Sequence, residues 1–251
     1  MDFSKETFRC SSLGHLLTEP KSAEDKKLGN LSESAKTHLI DVYVSRVYGR
    51  KTDVHTRYTE KGLSVEEDSI TLYSRVAKKL YKKNDTRLYN EFIQGELDLY
   101  TGTSVGFAET VIDIKSSWDV FTFFRNHKST IKSLYYWQLQ GYMYLTGAKS
   151  AKLAYCLIST PVPLIEAEQR KLWYAMGQPD DSSKIFKDAC AEIVSNMTYE
   201  DIPLKQRLME FDVERNEADI AKIGPKVLKA REFLKEMYET LNRNTSQLVT
   251  A

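Results

Sequence analysis

The 251-residue chain lacks a long apolar run, a cysteine framework and a surplus of either charge. Its three cysteines, Cys10, Cys156 and Cys190, are odd in number and widely spaced, which predicts a reducing compartment without disulfides. They are also too few to supply the four thiolates of an iron–sulphur cluster. No run of about 18 apolar residues occurs, and the N-terminus lacks the apolar core of a secretion signal. We therefore expect a cytoplasmic protein that does not contact membranes.

Charge is nearly balanced, with 36 basic and 35 acidic residues, whereas nucleic-acid-binding proteins usually carry a basic surplus. The basic residues nevertheless occur in clusters. They are Arg46, Arg50, Lys51, Arg57 and Lys61; Lys78, Lys79, Lys82, Lys83 and Arg87; and Arg125, His127, Lys128 and Lys132. Any one cluster is typical of solvated surface. Several clusters around an acidic site would instead suit a phosphate backbone, which needs cations beside it.

A chain of this length can bury one elaborated α/β core, and no internal repeat, low-complexity tract or long linker divides it. We therefore predict a single domain over the whole chain. Within it we expect an N-terminal arm at 1–30, the core that carries the candidate site at 60–160, and a C-terminal helix at 216–243.

Local patterns predict the secondary structure. Apolar periodicity and capping residues predict helices at 33–48, 59–80, 133–146, 163–176 and 183–197, and strands at 87–93, 96–100, 109–115, 153–159 and 207–215. In the arm, Ser11 or Ser12 should cap a brief helix. Asn216 should cap the C-terminal helix, and Gly224-Pro225 should kink or interrupt it. This mixture predicts an α/β fold with a central mixed sheet flanked by helices.

The predicted helix 59–80 carries an acid within an apolar stripe. The stripe consists of Leu63, Ile70, Tyr73, Ala77 and Leu80. Glu66 takes a position in this stripe where a leucine would be expected. A carboxylate on an inward face costs several kcal/mol unless it is paired or binds metal. Two interpretations stay open: a metal ion satisfies Glu66, or a core arginine or backbone donors do.

Two neighbouring strands carry further carboxylates and a lysine, in the runs Gly95-Glu96-Leu97-Asp98 and Val111-Ile112-Asp113-Ile114-Lys115. Side chains alternate between the two faces of a strand, so Glu96 and Asp98 share one face, and Asp113 and Lys115 share another. If these faces align, Asp98, Asp113 and Lys115 converge at one edge of the sheet, with the Ile114 carbonyl nearby.

Hard oxygen atoms of this kind bind Mg²⁺ or Mn²⁺. We expect the ligands to be Asp98, Asp113, the Ile114 carbonyl and Glu66. A divalent ion polarises a phosphodiester and lowers the pKa of a bound water. Lys115 could orient or help deprotonate that water, and its charge would stabilise the transition state. The arrangement therefore predicts metal-dependent hydrolysis of a phosphodiester.

The predicted helix 133–146 adds a polar pair. Gln138 and Tyr142 are four residues apart and therefore lie on the same helix face. An amide and a phenol at this spacing could hold the lysine, the water or a phosphate in place. The same helix is also rich in aromatic residues, so it could simply pack in the core.

These motifs, in their order and spacing, resemble those of the PD-(D/E)XK nuclease superfamily. The matching patterns are Gly62-x-x-x-Glu66, Gly95-x-x-Asp98, Asp113-x-Lys115 and Gln138-x-x-x-Tyr142. The resemblance covers roughly 60–160, and it is closest to the RecB-like branch and the YqaJ-type viral recombinases related to phage lambda exonuclease. One departure is Asp113, where many members carry glutamate.

The resemblance implies a restriction-endonuclease-like core, with Asp98 and Asp113 as metal ligands, Lys115 as the catalytic lysine and Glu66 as the helix-borne acid. Gln138 and Tyr142 would support them. It further implies an Mg²⁺- or Mn²⁺-dependent DNA exonuclease, which resects duplex ends from the 5′ side in phage-type recombination. Relatives with an iron–sulphur cluster carry four cysteines that this chain lacks.

Contacts to DNA are expected from Arg9, Ser11 and Ser12 in the arm, from Ser116 and Ser117 beside the lysine, and from Arg125 and Lys128. A single-strand annealing protein and further copies of the chain are possible partners, and a viral protein would work in the host cytoplasm. Alternatives stay open: a structure-specific endonuclease, a single-strand exonuclease, or an inactive DNA-binding or assembly protein on the same scaffold.

Overall fold

The structure, a computed structural model, describes residues 1–52, 56–128, 130–180 and 182–248, without the side chains of 128 and 244–248. In this part of the chain the strands are β1 (Phe8–Arg9), β2 (Leu88–Tyr89), β3 (Ile93–Gly95), β4 (Leu99–Gly102), β5 (Ala108–Ser116), β6 (Ser150–Cys156) and β7 (Leu208–Glu214). The larger sheet has the order β4-β5-β6-β7, with β5 and β6 parallel and the outer pairs antiparallel. The smaller sheet has the order β1-β3-β2 and is also mixed.

The helices of the described residues are α1 (Leu13–Leu16), α2 (Ala23–Lys27), α3 (Glu33–Tyr48), α4 (Arg57–Ser64), α5 (Glu66–Ala77), α6 (Val120–Arg125), α7 (Ser133–Thr146), α8 (Val162–Ala175), α9 (Lys184–Met197) and α10 (Glu217–Leu248). Of these, α7 and α5 both pack against β5 and β6 of the larger sheet. The predicted α/β class, with a mixed sheet flanked by helices, is confirmed.

Helix boundaries follow the capping signals in the sequence. At the start of α3 the Ser32 hydroxyl accepts a hydrogen bond from the Ala35 amide, and Gly49 ends the helix with a φ of 66°. Gly147 ends α7 in the same left-handed conformation, with a φ of 77°. The predicted helices at 33–48 and 133–146 are therefore confirmed.

Alternation along β5 separates two apolar cores. Val111 packs with Leu153 in the main core, which includes residues of α7. Ile112 and Ile114 belong to a second core together with Ile70 of α5. Because neighbouring side chains point to opposite faces, Asp113 and Lys115 lie on the face that α7 covers.

Residues 1–30, expected as an arm, contribute to the main core. Phe8 in β1 and Leu13 in α1 are buried, and β1 pairs with β3. The brief helix predicted after Ser11 or Ser12 is present as α1 with Ser12 at its N-cap position, but the Ser12 hydroxyl donates to the Arg9 carbonyl and accepts no hydrogen bond from the helix. The burial of these apolar side chains outweighs the polar appearance of the segment.

The single helix predicted at 59–80 is wrong in its extent. The helical geometry is interrupted at Val65, which has a φ of −114° and a ψ of 16°, so that Glu66 begins α5. The apolar stripe is correspondingly shorter: Ile70 and Tyr73 are buried, whereas Leu63 and Leu80 are exposed. Periodicity could not detect this break because one residue outside helical geometry leaves the spacing almost unchanged.

The strand pair predicted at 87–93 and 96–100 is also wrong in its pairing. The hairpin in this region joins β2 to β3, and the Asn90 side chain accepts hydrogen bonds from the amides of the turn. The chain then crosses to the other sheet and enters β4. Asp98 therefore does not lie on a strand face. It lies in the segment that crosses between the two sheets, next to the buried side chain of Leu97.

The C-terminal helix begins as expected, with the Asn216 side chain accepting from the Asp219 amide. It then continues through Pro225, so of the predicted kink or interruption the interruption does not occur, and the kink stays a prediction. Gly224 faces Phe92, whose ring would lie 3.1 Å from an added Cβ. Within the described residues, no helix has both the length and the apolar character that crossing a membrane requires.

A buried lysine connects α4 to the loop that follows β5. The side chain of Lys61 is 1% exposed, and its ammonium donates to the Trp118 carbonyl at 2.7 Å. The rings of Trp118 and Tyr199 lie 5.9 and 5.5 Å from the same ammonium. Burial lowers the pKa of Lys61 to about 7, although the charge of Asp119 opposes this shift.

We predict that the free energy of unfolding of the wild type will rise relative to Lys61→Met as the pH increases. Between a folded pKa of about 7 and an unfolded value near 10.5, the unfolded chain binds more protons at Lys61 than the folded one. Raising the pH through this window therefore favours the folded state. Urea denaturation of both proteins at several pH values between about 7 and 10.5 measures the difference in their free energies of unfolding. A difference that does not change with pH would contradict the lowered pKa of Lys61.

Candidate active site

A cleft of about 520 Å³ opens at the end of β5, between the start of α5 and the middle of α7. It is lined by the catalytic and metal-binding candidates from the sequence: Glu66, Asp98, Asp113, Ile114, Lys115, Gln138 and Tyr142. The structure therefore brings together side chains from α5, the crossing segment, β5 and α7. These elements are far apart in sequence, and folding brings them together around one cleft.

Asp98 is held against β5 by a backbone hydrogen bond. Its Oδ2 accepts from the Ile114 amide at 2.6 Å. Burial raises the pKa of Asp98 to about 7, and the charge of Asp113 adds to this, while Lys115 and the Ile114 amide oppose it. A cation beside the carboxylates would relieve this crowding of negative charge.

Asp113 is the most buried acid of the site, with 1% exposure. Its Oδ1 accepts from the Gln138 amide at 2.9 Å, and its Oδ2 lies 2.6 Å from the Lys115 ammonium. Apart from this ion pair, Oδ2 has no hydrogen-bond donor among the described residues. Burial alone would lower the pKa of Lys115, but the charges of Asp113 and Asp98 outweigh it and raise the pKa. Lys115 is therefore a charged group at neutral pH.

Gln138 and Tyr142 connect the two acidic segments. Gln138 Nε2 also lies 2.9 Å from the Tyr142 hydroxyl, which in turn donates to the Glu96 carbonyl at 3.0 Å. Both side chains are buried, so the core interpretation of α7 is partly right, but their polar atoms belong to the site. Gly95 allows this approach, since an added Cβ would lie 2.7 Å from the Tyr142 ring.

Glu66 lines the cleft but has a partner of its own. Its Oε2 lies 2.8 Å from the ammonium of Lys83, on the loop after α5. The alternative interpretation from the sequence named a core arginine or backbone donors, and the structure has a half-exposed lysine instead. Within the described part of the chain, no three acidic, histidine or cysteine side chains are close enough to form a complete metal cage.

The donor set nevertheless fits a divalent metal. Asp98 and Asp113 present carboxylate oxygens in one cleft, and beyond its ion pair with Lys115 the buried Asp113 Oδ2 has no further partner among the described residues. The Ile114 carbonyl and Glu66 would complete a set of hard oxygen ligands once Glu66 leaves Lys83. Oxygen donors of this kind suit Mg²⁺ or Mn²⁺ better than softer metals.

The candidate DNA contacts divide into two groups. Ser116 and Ser117 line the cleft. The Ser116 hydroxyl lies 2.8 Å from that of Ser69, whereas the Ser117 hydroxyl is buried without a hydrogen-bond partner among the described residues. An unpaired buried hydroxyl beside the carboxylates is available to a ligand.

The candidates Arg9, Ser11, Ser12 and Arg125 are not among the described residues that line the cleft. Arg9 and Ser11 are exposed, and Ser12 donates to the Arg9 carbonyl. Arg125 borders a shallow apolar surface depression formed by α6. The side chain of Lys128 lies outside the described residues.

Sequence reasoning missed an aromatic wall of the cleft. The rings of Tyr58 and Trp118 meet edge to face at 5.3 Å. The Arg57 guanidinium lies 5.1 Å from both ring centroids and forms a 2.8 Å ion pair with Glu168. A basic residue next to an aromatic one is typical of nucleic-acid surfaces, so Arg57-Tyr58 was a local signal. Its pairing with Trp118 is a long-range contact that the sequence does not reveal.

Comparison with known proteins was informative for solved structures only, since no family model and no curated protein matches the chain. A phage-related exonuclease from Haemophilus somnus 129PT is 28% identical, with a TM-score of 0.75, and the match covers 94% of this chain and 97% of that one. An alkaline exonuclease from Laribacter hongkongensis is 15% identical, with a TM-score of 0.62, over 98% and 96% of the two chains.

The Laribacter exonuclease has also been solved in complex with dAMP, and that structure matches with 16% identity and a TM-score of 0.61, over 96% of this chain and 94% of that one. At such identity these two structures show a common fold. The Haemophilus exonuclease adds a closer relationship over nearly the full length of both chains. Together the matches confirm the resemblance to the PD-(D/E)XK nuclease superfamily, in the branch related to phage lambda exonuclease.

Proposed function

We propose that the chain is a metal-dependent DNA exonuclease that uses Mg²⁺ or Mn²⁺ to hydrolyse phosphodiester bonds at duplex ends. The observation that carries this proposal is the cluster at the end of β5. There Asp98, Asp113 and Lys115 share one cleft, and the buried Oδ2 of Asp113 has the Lys115 ammonium, 2.6 Å away, as its one polar partner among the described residues. The full-length similarity to an exonuclease supports the same chemistry.

Each polar side chain of the cleft has a separate task in this proposal. The carboxylates of Asp98 and Asp113, with Glu66 and the Ile114 carbonyl, would hold the ion. When bound, the ion polarises the phosphate and lowers the pKa of the attacking water. The charges of Asp113 and Asp98 raise the pKa of Lys115, and its positive charge would stabilise negative charge on the phosphate and orient the water.

Gln138 and Tyr142 act by positioning. Gln138 holds one oxygen of Asp113 and thereby directs the other toward the cleft. Tyr142 fixes the segment that leads to Asp98 through the Glu96 carbonyl. The aromatic wall of Tyr58 and Trp118 offers ring surface to a nucleobase, and such stacking contributes about 1–3 kcal/mol per base.

The finer parts of the proposal come from the resemblance. They are 5′-to-3′ polarity on duplex DNA, a role in phage-type recombination in the host cytoplasm, an annealing protein as partner, and assembly with further copies of the chain. Binding of dAMP by the Laribacter exonuclease supports deoxynucleotide as the substrate class.

Substitution of the lysine and of an acid should separate charge stabilisation from metal binding. We expect Lys115→Ala to lower cleavage by about a hundredfold to a thousandfold, because the cleft loses its positive charge toward the phosphate. Mn²⁺ binding should be retained, since the carboxylates remain. Asp113→Asn should weaken both cleavage and Mn²⁺ binding. Cleavage rates and calorimetric Mn²⁺ titrations measure the two effects.

Lys152→Ala is a matched control for this pair. Lys152 is also a lysine on the larger sheet that pairs with acidic residues, here Glu210 and Asp212, but it lies outside the cleft. Its loss should leave cleavage at the wild-type rate. Wild-type cleavage by Lys115→Ala would show that the site has been assigned wrongly.

The mode of cleavage can be tested with linear duplex DNA labelled at either the 5′ or the 3′ end, beside a closed circle, in Mg²⁺ or EDTA. We expect Mg²⁺-dependent release of the 5′ label first, while the circle stays intact, because an exonuclease needs an end. Cleavage of the circle would indicate an endonuclease. Failure to cut any DNA with either metal would favour a binding or assembly protein.

A further inference from the structure

Glu66 and a basic surface loop are directly connected. The loop at 78–87 follows α5 and leads to β2. Its Lys83 reaches back to the cleft and pairs with Glu66 at 2.8 Å. Lys83 is therefore part of the basic loop and also contacts a residue of the candidate metal site.

The rest of this loop presents positive charge to solvent. Lys78, Lys79 and Lys82 are exposed, and none of them is ion-paired within the described part of the chain. Lys79 and Lys82 line a surface depression together with Lys83, and exposed lysines of this kind suit the phosphate backbone of a nucleic acid.

The two ion pairs of the cleft differ in how easily they can be broken. Lys115 pairs with Asp113, which is almost fully buried, whereas the Lys83 and Glu66 side chains keep 31% and 29% of their exposure. Ion pairs at such exposure contribute little to stability, because water competes for both partners. Lys83 can therefore exchange Glu66 for another anion at low cost, and Lys115 cannot leave Asp113 as readily.

We propose that Lys83 exchanges Glu66 for a backbone phosphate of bound DNA, so that DNA binding releases Glu66 to the divalent metal. This inference rests on the proposed function, since it assumes a nucleic-acid substrate and a metal held near Glu66. In the free protein the Lys83 ammonium occupies Glu66 and repels a divalent cation. With DNA bound, the phosphate neutralises that ammonium, and metal and DNA bind with positive coupling.

Calorimetric titration of Mn²⁺ into the DNA-free protein tests the first half of this inference. We expect Lys83→Met to bind Mn²⁺ about threefold to tenfold more tightly than the wild type, because a nearby positive charge is removed. Lys82→Met loses the same charge from the same loop but no Glu66 contact, so its Mn²⁺ affinity should stay at the wild-type value. Lys83→Arg keeps the charge and should bind no more tightly than the wild type.

The coupling is tested in a Lys115→Ala background, in which cleavage is expected to be slow enough for binding to be measured. Duplex DNA should raise the Mn²⁺ affinity of this protein, and the additional Lys83→Met change should remove most of that increase. Melting temperatures of the variants confirm that they are folded. Because the readout is binding, it does not depend on turnover by the metal-loaded enzyme.

The outcomes separate this inference from the proposed function. If the wild type binds Mn²⁺ but Lys83→Met has the same or a weaker affinity, the exchange is refuted and the nuclease proposal stands. Equal tightening by Lys82→Met and Lys83→Met would refute it as well, since the effect would be that of overall charge. If the wild type binds no Mn²⁺ with or without DNA, both proposals fail.

Discussion

The repulsion between two neighbouring carboxylates, Asp98 and Asp113, is the constraint on which the site depends. Both lie at the end of β5 within a cleft, and burial together with their mutual charge raises the pKa of Asp98 to about 7. Three contacts hold them there: the Ile114 amide on Asp98, and Gln138 and Lys115 on Asp113. Hydrogen bonds to charged groups contribute about 1.5–3 kcal/mol each, which offsets part of the desolvation. The remaining imbalance favours a cation, so the chemistry of the site follows from an electrostatic need that the protein leaves unmet.

This constraint also accounts for the composition of α7. A helix between a sheet and the N-terminal segment would be expected to carry only apolar residues on its buried face. Gln138 and Tyr142 replace them because each buried polar atom finds a partner, one in Asp113 and the other in the Glu96 carbonyl. Close packing also explains the two glycines that lie where α7 and β3 meet the N-terminal segment. Gly95 and Gly141 both lie against Cys10, and an added Cβ at Gly141 would be 2.7 Å from Leu13. The N-terminal segment thus packs closely against α7 and helps to hold this helix beside the acidic cluster.

The sequence predicted those features that depend on local rules. Capping residues located α3, the sequence pattern also predicted α7 at its observed bounds, and alternation along β5 assigned Asp113 and Lys115 to one face. Prediction from the sequence failed where the structure depends on the conformation of a single residue or on a contact between residues that are distant in sequence. The break at Val65 leaves periodicity unchanged, and the crossing at Asp98 depends on which sheet accepts each strand. For the same reason the motifs indicated which side chains would meet, whereas the partners Lys83 and Trp118 could not be foreseen.

Three lysines around the cleft show how surroundings determine what an identical side chain can do. Lys61 is buried against a carbonyl and two aromatic rings, so burial dominates and its charge is disfavoured; its role is to connect α4 to the loop after β5. Lys115 is flanked by two carboxylates, which keep it charged in the same protein interior. Lys83 has one carboxylate partner and remains accessible to water. Under our proposals, Lys115 keeps its buried partner Asp113 and stabilises charge on the reacting phosphate, whereas Lys83, whose partner Glu66 is itself accessible to water, exchanges that partner for a backbone phosphate and so adjusts the charge beside the candidate metal site.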